Sequence, residues 1–271
     1  MDISIIINGD YNYMNIKKGD YVTRKSHNND IVFKVLNIEK DIYYLKGVDV
    51  RLYADSEPSD LVKVLPSPET ENYQDRIKDK LLLDRDEYFY LPGKILHFDG
   101  DKDYLERCLD FYKKAGVRAI GKTIKESELS KHIDKYLNQI KPDIVVITGH
   151  DAYYEKKGDK NNLNNYQNSS NFIESVKKAR KYENSHEKLI IIAGACQSNY
   201  EELIKAGSNY ASSPKRVNIH ALDPAIIATT IALSDRNKQI DLIDLLDRTK
   251  YGHAGMGGII GNGVMYVGFP R

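Results

Sequence analysis

Cysteine is scarce, with only Cys108 and Cys196 in a chain of 271 residues. Two thiols make no disulfide framework, and neither sits near a second Cys or a His at metal-ligand spacing, so no metal site is expected. Long hydrophobic runs are missing too. No stretch approaches the ~18 apolar residues needed to cross a bilayer. The opening MDISIIINGD carries an acid where a signal peptide carries basic charge, and its apolar run is short. Nor is there an excess of one charge sign, with 40 basic against 39 acidic residues. A balanced chain offers no global field for nucleic acid or an anionic membrane. The expectation is a soluble, intracellular protein with no nucleic-acid partner and no membrane span.

What the chain does contain is a change of rhythm. Residues 16 to 64 alternate like short strands in GDYVTRKS, DIVFKVLNIE, DIYYLKGVDV and RLYADS, punctuated by Asn and Asp. Four or five such strands predict a small SH3-like β-barrel over residues 1–65. A β extension of the next domain is the alternative. Two prolines followed by dense charge then read as a linker over residues 66–91. From residue 92 to 271 strand and helix alternate. KILHFDGD, VRAIGKT, DIVVITGHD and KLIIIAGAC read as strands. DYLERCLDFYKKAG, SELSKHIDKYLNQI, SSNFIESVKKARKY and NYEELIKAG read as helices, with Gly116 closing the first. HALDPAIIATTIALS and IDLIDLLDRT add two more helices before a glycine-rich tail. This alternation predicts an α/β domain with a parallel sheet covered by helices on both faces.

In open α/β sheets the working residues collect beyond the carboxyl ends of the strands. Two strands here end alike, IVVITGH in His150 and IIIAGAC in Cys196. Gly149, Gly194 and Ala195 keep the approach open. A thiol is a weak nucleophile until it loses its proton, and a nearby imidazole takes that proton and later protonates a leaving amine. His150 lies 46 residues before Cys196, close to the caspase spacing of about 50. The structural alternative is a buried thiol at Cys196 and a strand-capping His150. Order, spacing and shared strand context favour chemistry. Cys108, on a helix beside Leu109, reads as a core thiol. His220, in RVNIHALDP, is the rival base or a helix cap, and His97 sits within a strand. His27, His132 and His186 lie in polar or helical surroundings, and His253 in the glycine-rich tail.

ITGHD resembles the apolar-block-then-His motif of clostripain, gingipain and caspase relatives. PGKILHFDGD, DIVVITGHDAY, AGACQSNYEELIKAG and NYASSPKRVNIHALDP resemble the YabG family of sporulation-specific cysteine proteases, as do GDYVTRKS and VRLYADSEPSDLV. The resemblance covers nearly the whole chain. It implies a caspase-like parallel-sheet sandwich behind the barrel, with a Cys196–His150 dyad and an oxyanion hole from the N–H groups of Gly149 and Cys196. It implies a protease of the mother-cell cytoplasm, associated with the spore coat, that processes spore coat and other spore-surface proteins. Cleavage would follow basic residues, chiefly Arg, and no cofactor would be needed.

Three acids near the strand ends are candidates for receiving that basic side chain: Asp99, Asp101 and Asp151, with Asp223 behind them. Asp99 and Asp101 serve equally well as caps of the next helix. Asp151 either orients His150 or faces solvent. GMGGIIGNG lacks the Lys-Ser/Thr ending of a phosphate loop and reads as a flexible hairpin or substrate-side loop. The competing function is a non-enzymatic module for spore coat assembly.

Overall fold

The computed structural model describes residues 16–65, 87–154, 156 and 158–270. The chain divides into two compact units, Met1–Glu71 and Asn72–Arg271. Most of the segment read as a linker, residues 66–86, lies outside the described residues.

The described part of the first unit is a five-stranded antiparallel sheet. Its strands are β1 (Tyr21–Arg24), β2 (Phe33–Glu39), β3 (Ile42–Gly47), β4 (Tyr53–Ser56) and β5 (Leu61–Val64), in the order β4-β3-β2-β1-β5. Polar and apolar residues alternate, so one face packs Val22, Phe33, Val35, Leu45 and Leu61 into a small core. Lys40 and Asp41 both take positive φ between β2 and β3, the backbone of a tight hairpin turn whose twist suits the strands.

The second unit is built on a six-stranded sheet of β7 (Ile95–Asp99), β8 (Ala119–Thr123), β9 (Ile144–Thr148), β10 (Ile190–Ala193), β11 (Tyr210–Ser212) and β12 (Met256–Gly258). Their order is β12-β11-β10-β9-β7-β8. The first five run parallel, and β12 closes one edge antiparallel to β11. β9 and β10 are buried along their whole length, which is why their sequences are unbroken apolar runs. One face packs Phe98, Val145, Ile147 and Ile191 against Leu129 and Ile133 of α2 (Glu126–Ile140) and Phe172 and Val176 of α3 (Ser169–Tyr182). Leu203 of α4 (Tyr200–Lys205) joins them. The opposite face meets α1 (Lys102–Lys114) and the almost wholly buried α5 (Asp223–Ala232). Gly116, at φ +73°, follows α1 as its sequence suggested.

Two elements differ from the sequence reading. The glycine-rich tail is not a loose hairpin throughout, since Met256–Gly258 is β12, paired to Tyr210–Ser212. Within the stretch read as linker, β6 (Phe89–Leu91) pairs antiparallel with β13 (Tyr266–Gly268). Both strands are only three residues long, so neither carries a period-2 pattern strong enough to read. Among the described residues no helix is long and apolar enough to cross a membrane.

Candidate active site at the carboxyl edge of the parallel sheet

Strand pairing fixes the site. β9 and β10 are neighbours, with Ile144 opposite Ile190 and Ile147 opposite Ala193. That register offset is 46 residues, the same as the separation of His150 from Cys196. Both side chains therefore follow adjacent strands at one level of one edge. The ladder continues one residue further, where Gly194 N–H donates to Ile147 O at 3.0 Å. Gly194 then turns the chain at φ +106°, and a Cβ there would lie 2.3 Å from Ser212 Oγ. Only glycine fits.

The Cys196 thiol is fully buried. Ile219 N–H donates to Sγ at 3.3 Å, and Sγ lies 3.7 Å from Ile219 O. Gln197 N–H donates to Ser213 Oγ at 2.9 Å and to Val217 O, so residues 213–219 fold back over the thiol. Cys108 is buried as well, but it lies mid-helix and donates to Ala221 O at 3.5 Å.

His150 is held at two points. Its Nε2 lies 3.2 Å from Asp101 Oδ2, and its backbone N–H donates to Glu126 Oε1 at 2.7 Å. In the tautomer with the proton on Nε2, the imidazole donates to the carboxylate. The Tyr104 ring packs against the imidazole, with centroids 5.7 Å apart. Asp101 is also the N-cap of α1, because its Oδ1 accepts from the N–H groups of Asp103 and Tyr104. One carboxylate thus caps a helix and orients the histidine.

The acids expected to face a substrate turn inward. Asp151 Oδ1 accepts from Ala152 N–H and Asn168 N–H, and Oδ2 from the Ser169 and Ser198 hydroxyls. Four donors fill the roughly four lone-pair sites of a carboxylate, and Asp151 is only 3% exposed. It neither orients His150 nor faces solvent. Instead it ties the loop after β9 to the loop after β10, since Ser198 Oγ in turn accepts from Ala195 N–H. Burial pushes the Asp151 carboxyl above the ordinary carboxylate range, against the pull of its hydrogen bonds to Ser169, Asn168, Ser198 and Ala152. Asp99 is fully buried and accepts from Asp101 N–H and the Thr148 hydroxyl. Asp223 accepts from His220 N–H and Lys250 N–H, again from inside the protein.

The remaining histidines have structural surroundings. His97 lies between the Tyr112 hydroxyl at Nδ1 and the Thr148 hydroxyl at Nε2. His220 is buried, and its Nδ1 accepts from Leu222 N–H just ahead of α5. Gly149 sits between Thr148 and His150, and a Cβ on it would meet Glu126 Oε1 at 2.3 Å. The sequence reading missed Glu126, Ser169 and Ser198. An acid in the first turn of a helix and two serines are too ordinary to stand out without the pairing of the strands. Among the described residues no group of three or more His, Cys, Asp and Glu is placed to hold a metal ion.

These features define a class first: an α/β protein whose parallel sheet brings a carboxylate-oriented histidine and a cysteine to the same edge. The chain belongs to the YabG peptidase U57 family, whose pattern matches residues 17–82 and 68–270. It is 41% identical, over a 286-residue alignment, to a protein of Bacillus subtilis (strain 168) named "Sporulation-specific protease YabG". That alignment covers 95% of this chain and 99% of the relative.

Proposed function

We propose that this chain is a cysteine endopeptidase of sporulation that cleaves after basic residues, Arg first, by a dyad of Cys196 and His150. The observation that carries the proposal is the shared offset: the register of β9 on β10 and the gap from His150 to Cys196 are both 46 residues. A scaffold has no need of a thiol and an oriented imidazole at one level of one sheet edge. Residues 92–271 form the caspase-like protease domain in this reading, residues 1–65 an SH3-like barrel, and residues 66–91 the link. The substrates are spore coat and other spore-surface proteins, met in the mother-cell cytoplasm and at the coat.

The substrate reaches Sγ when residues 213–219 move aside. The Cys196 thiol gives its proton to His150 Nδ1, the resulting thiolate attacks the scissile carbonyl carbon, and the oxygen takes up the charge between the N–H groups of Gly149 and Cys196. The C–N bond then breaks as His150 gives its Nδ1 proton to the departing amine. Water, deprotonated by the same nitrogen, releases the new carboxylate from the thioester and restores the thiol. Asp101 keeps the tautomer in which Nδ1 does this work. Asp151 holds the two loops at their separation.

The test is peptide cleavage by Cys196→Ala. Cleavage should vanish while the thermal unfolding midpoint barely moves, because Ala leaves only a small void. A covalent peptidyl probe with Arg beside its warhead should label the wild type once, at Cys196. Wild-type turnover by Cys196→Ala would overturn the proposal.

A further inference from the structure

The carboxylates Asp99, Asp101, Asp151 and Asp223 are all employed within the fold, as helix cap, histidine orienter or loop tie. Glu126 is different. It is the first residue of α2 and partly exposed, at the same edge of the sheet. Its Oε1 accepts from His150 N–H at 2.7 Å. Among the described residues, Oε2 has no hydrogen-bond or ion-pair partner. Two glycines make the space it occupies. A Cβ would lie 2.2 Å from Oε1 if added at Gly100 and 2.3 Å if added at Gly149. The chain thus keeps side chains off the ends of β7 and β9 where this one carboxylate lies, bonded to the backbone of His150.

We infer that Glu126 is the specificity-determining acid, which receives the basic side chain of the residue before the scissile bond. The inference rests on the dyad reading above, because that reading places the scissile carbonyl beside Gly149. One oxygen of Glu126 is held by the His150 backbone, so the carboxylate is oriented before a guanidinium arrives at the other. Its position also works against the wrong substrate. A bare carboxylate in contact with Gly149 stands next to the oxygen that becomes negative during attack, and like charges at such range disfavour that charge. A cationic side chain neutralises Glu126 and removes the opposition, whereas a neutral one leaves it in force. Attraction and repulsion therefore discriminate in the same direction.

Glu126→Gln separates these effects from positioning. The amide oxygen still accepts from His150 N–H, and only the charge is lost. The measurement is kcat/KM on matched peptides with Arg, Lys or norleucine before the cut, with thermal melting to confirm the fold. For the wild type the order is Arg, Lys, then norleucine. In Glu126→Gln the Arg-to-norleucine ratio should fall on the order of a hundredfold, partly because norleucine cleavage rises. Glu126→Asp withdraws the carboxylate and should keep the basic preference while raising Arg over Lys, since the shorter Lys no longer reaches. An unchanged ratio in both variants overturns the assignment, as does an equal fall on all three peptides, which marks Glu126 as a support for His150 alone. A wild type that cleaves nothing through Cys196 overturns the dyad reading itself, and is told apart by failing before any Glu126 variant is made.

Discussion

The two units use strands in opposite ways. In the antiparallel sheet of the first unit, neighbouring strands end at opposite edges, and β2 mixes buried with exposed residues. In the second unit β7 to β11 all point the same way, and β7, β9 and β10 are buried residue by residue. Parallel strands bring every carboxyl end to a single edge, so His150, Cys196 and the pair Asp99 and Asp101 converge there from three separate stretches of sequence. Among the described residues the first unit has no parallel strand pair, and its core is a handful of side chains around Phe33.

That contrast can be broken most severely at His150. His150→Ala should lower peptide cleavage by about a thousandfold with little loss of stability, since the imidazole is not part of the apolar core. Equal cleavage by the variant would move the proton transfer to another base, with His220 the first to examine. Asp101→Asn should come next, at about a hundredfold. The Asn oxygen still caps α1, but its amide then meets Nε2–H donor to donor and turns the imidazole to the wrong tautomer. A normal melting temperature with depressed cleavage would separate orientation from capping.

Asp151→Asn should act through the loops. It leaves the two backbone donors satisfied but sets an amide against the hydroxyls of Ser169 and Ser198, at a cost of about 1–2 kcal/mol and roughly a tenfold loss in cleavage. The pH dependence has a definite sign. A buried carboxyl raised above its unfolded value stabilises the fold most below the unfolded value, and this contribution is lost as pH rises through the folded one. The advantage of wild type over Asp151→Asn should therefore be largest near the ordinary carboxylate pKa and shrink as the pH is raised. Urea titrations of both proteins at several pH values measure it, and a constant difference would contradict the burial argument.

The smallest effect on cleavage is expected in the first unit. Phe33→Ala empties the centre of its core, a change worth about 3–5 kcal/mol, and should melt that sheet. Short-peptide cleavage should stay within about twofold, because His150, Cys196, Asp101 and Glu126 all belong to the second unit. A larger fall would show that the antiparallel sheet serves catalysis directly.

Much of this arrangement is readable from the chain alone. Apolar runs too continuous for a half-exposed sheet, such as IVVIT and LIIIA, mark fully buried strands, and helices between them dictate parallel pairing. The two strand ends with small residues before His150 and Cys196 are local features, so local pattern finds them. Their separation is also plain in the sequence. Its meaning as a register offset appears only when β9 lies beside β10. The roles of the acids are a different matter. Asp99, Asp101 and Asp151 look alike as residues near strand ends, and whether a carboxylate caps a helix, ties two loops or meets a ligand depends on donors brought from elsewhere. Ser169 and Ser198 come to Asp151 from 18 and 47 residues away, and the His150 N–H comes to Glu126 from 24. β12 likewise gains its place from Tyr210–Ser212 rather than from its own three residues. Sequence determines what is encoded by burial and periodicity over consecutive residues. Hydrogen-bond capacity is assigned by whichever neighbours the fold supplies, and only the tertiary structure decides that.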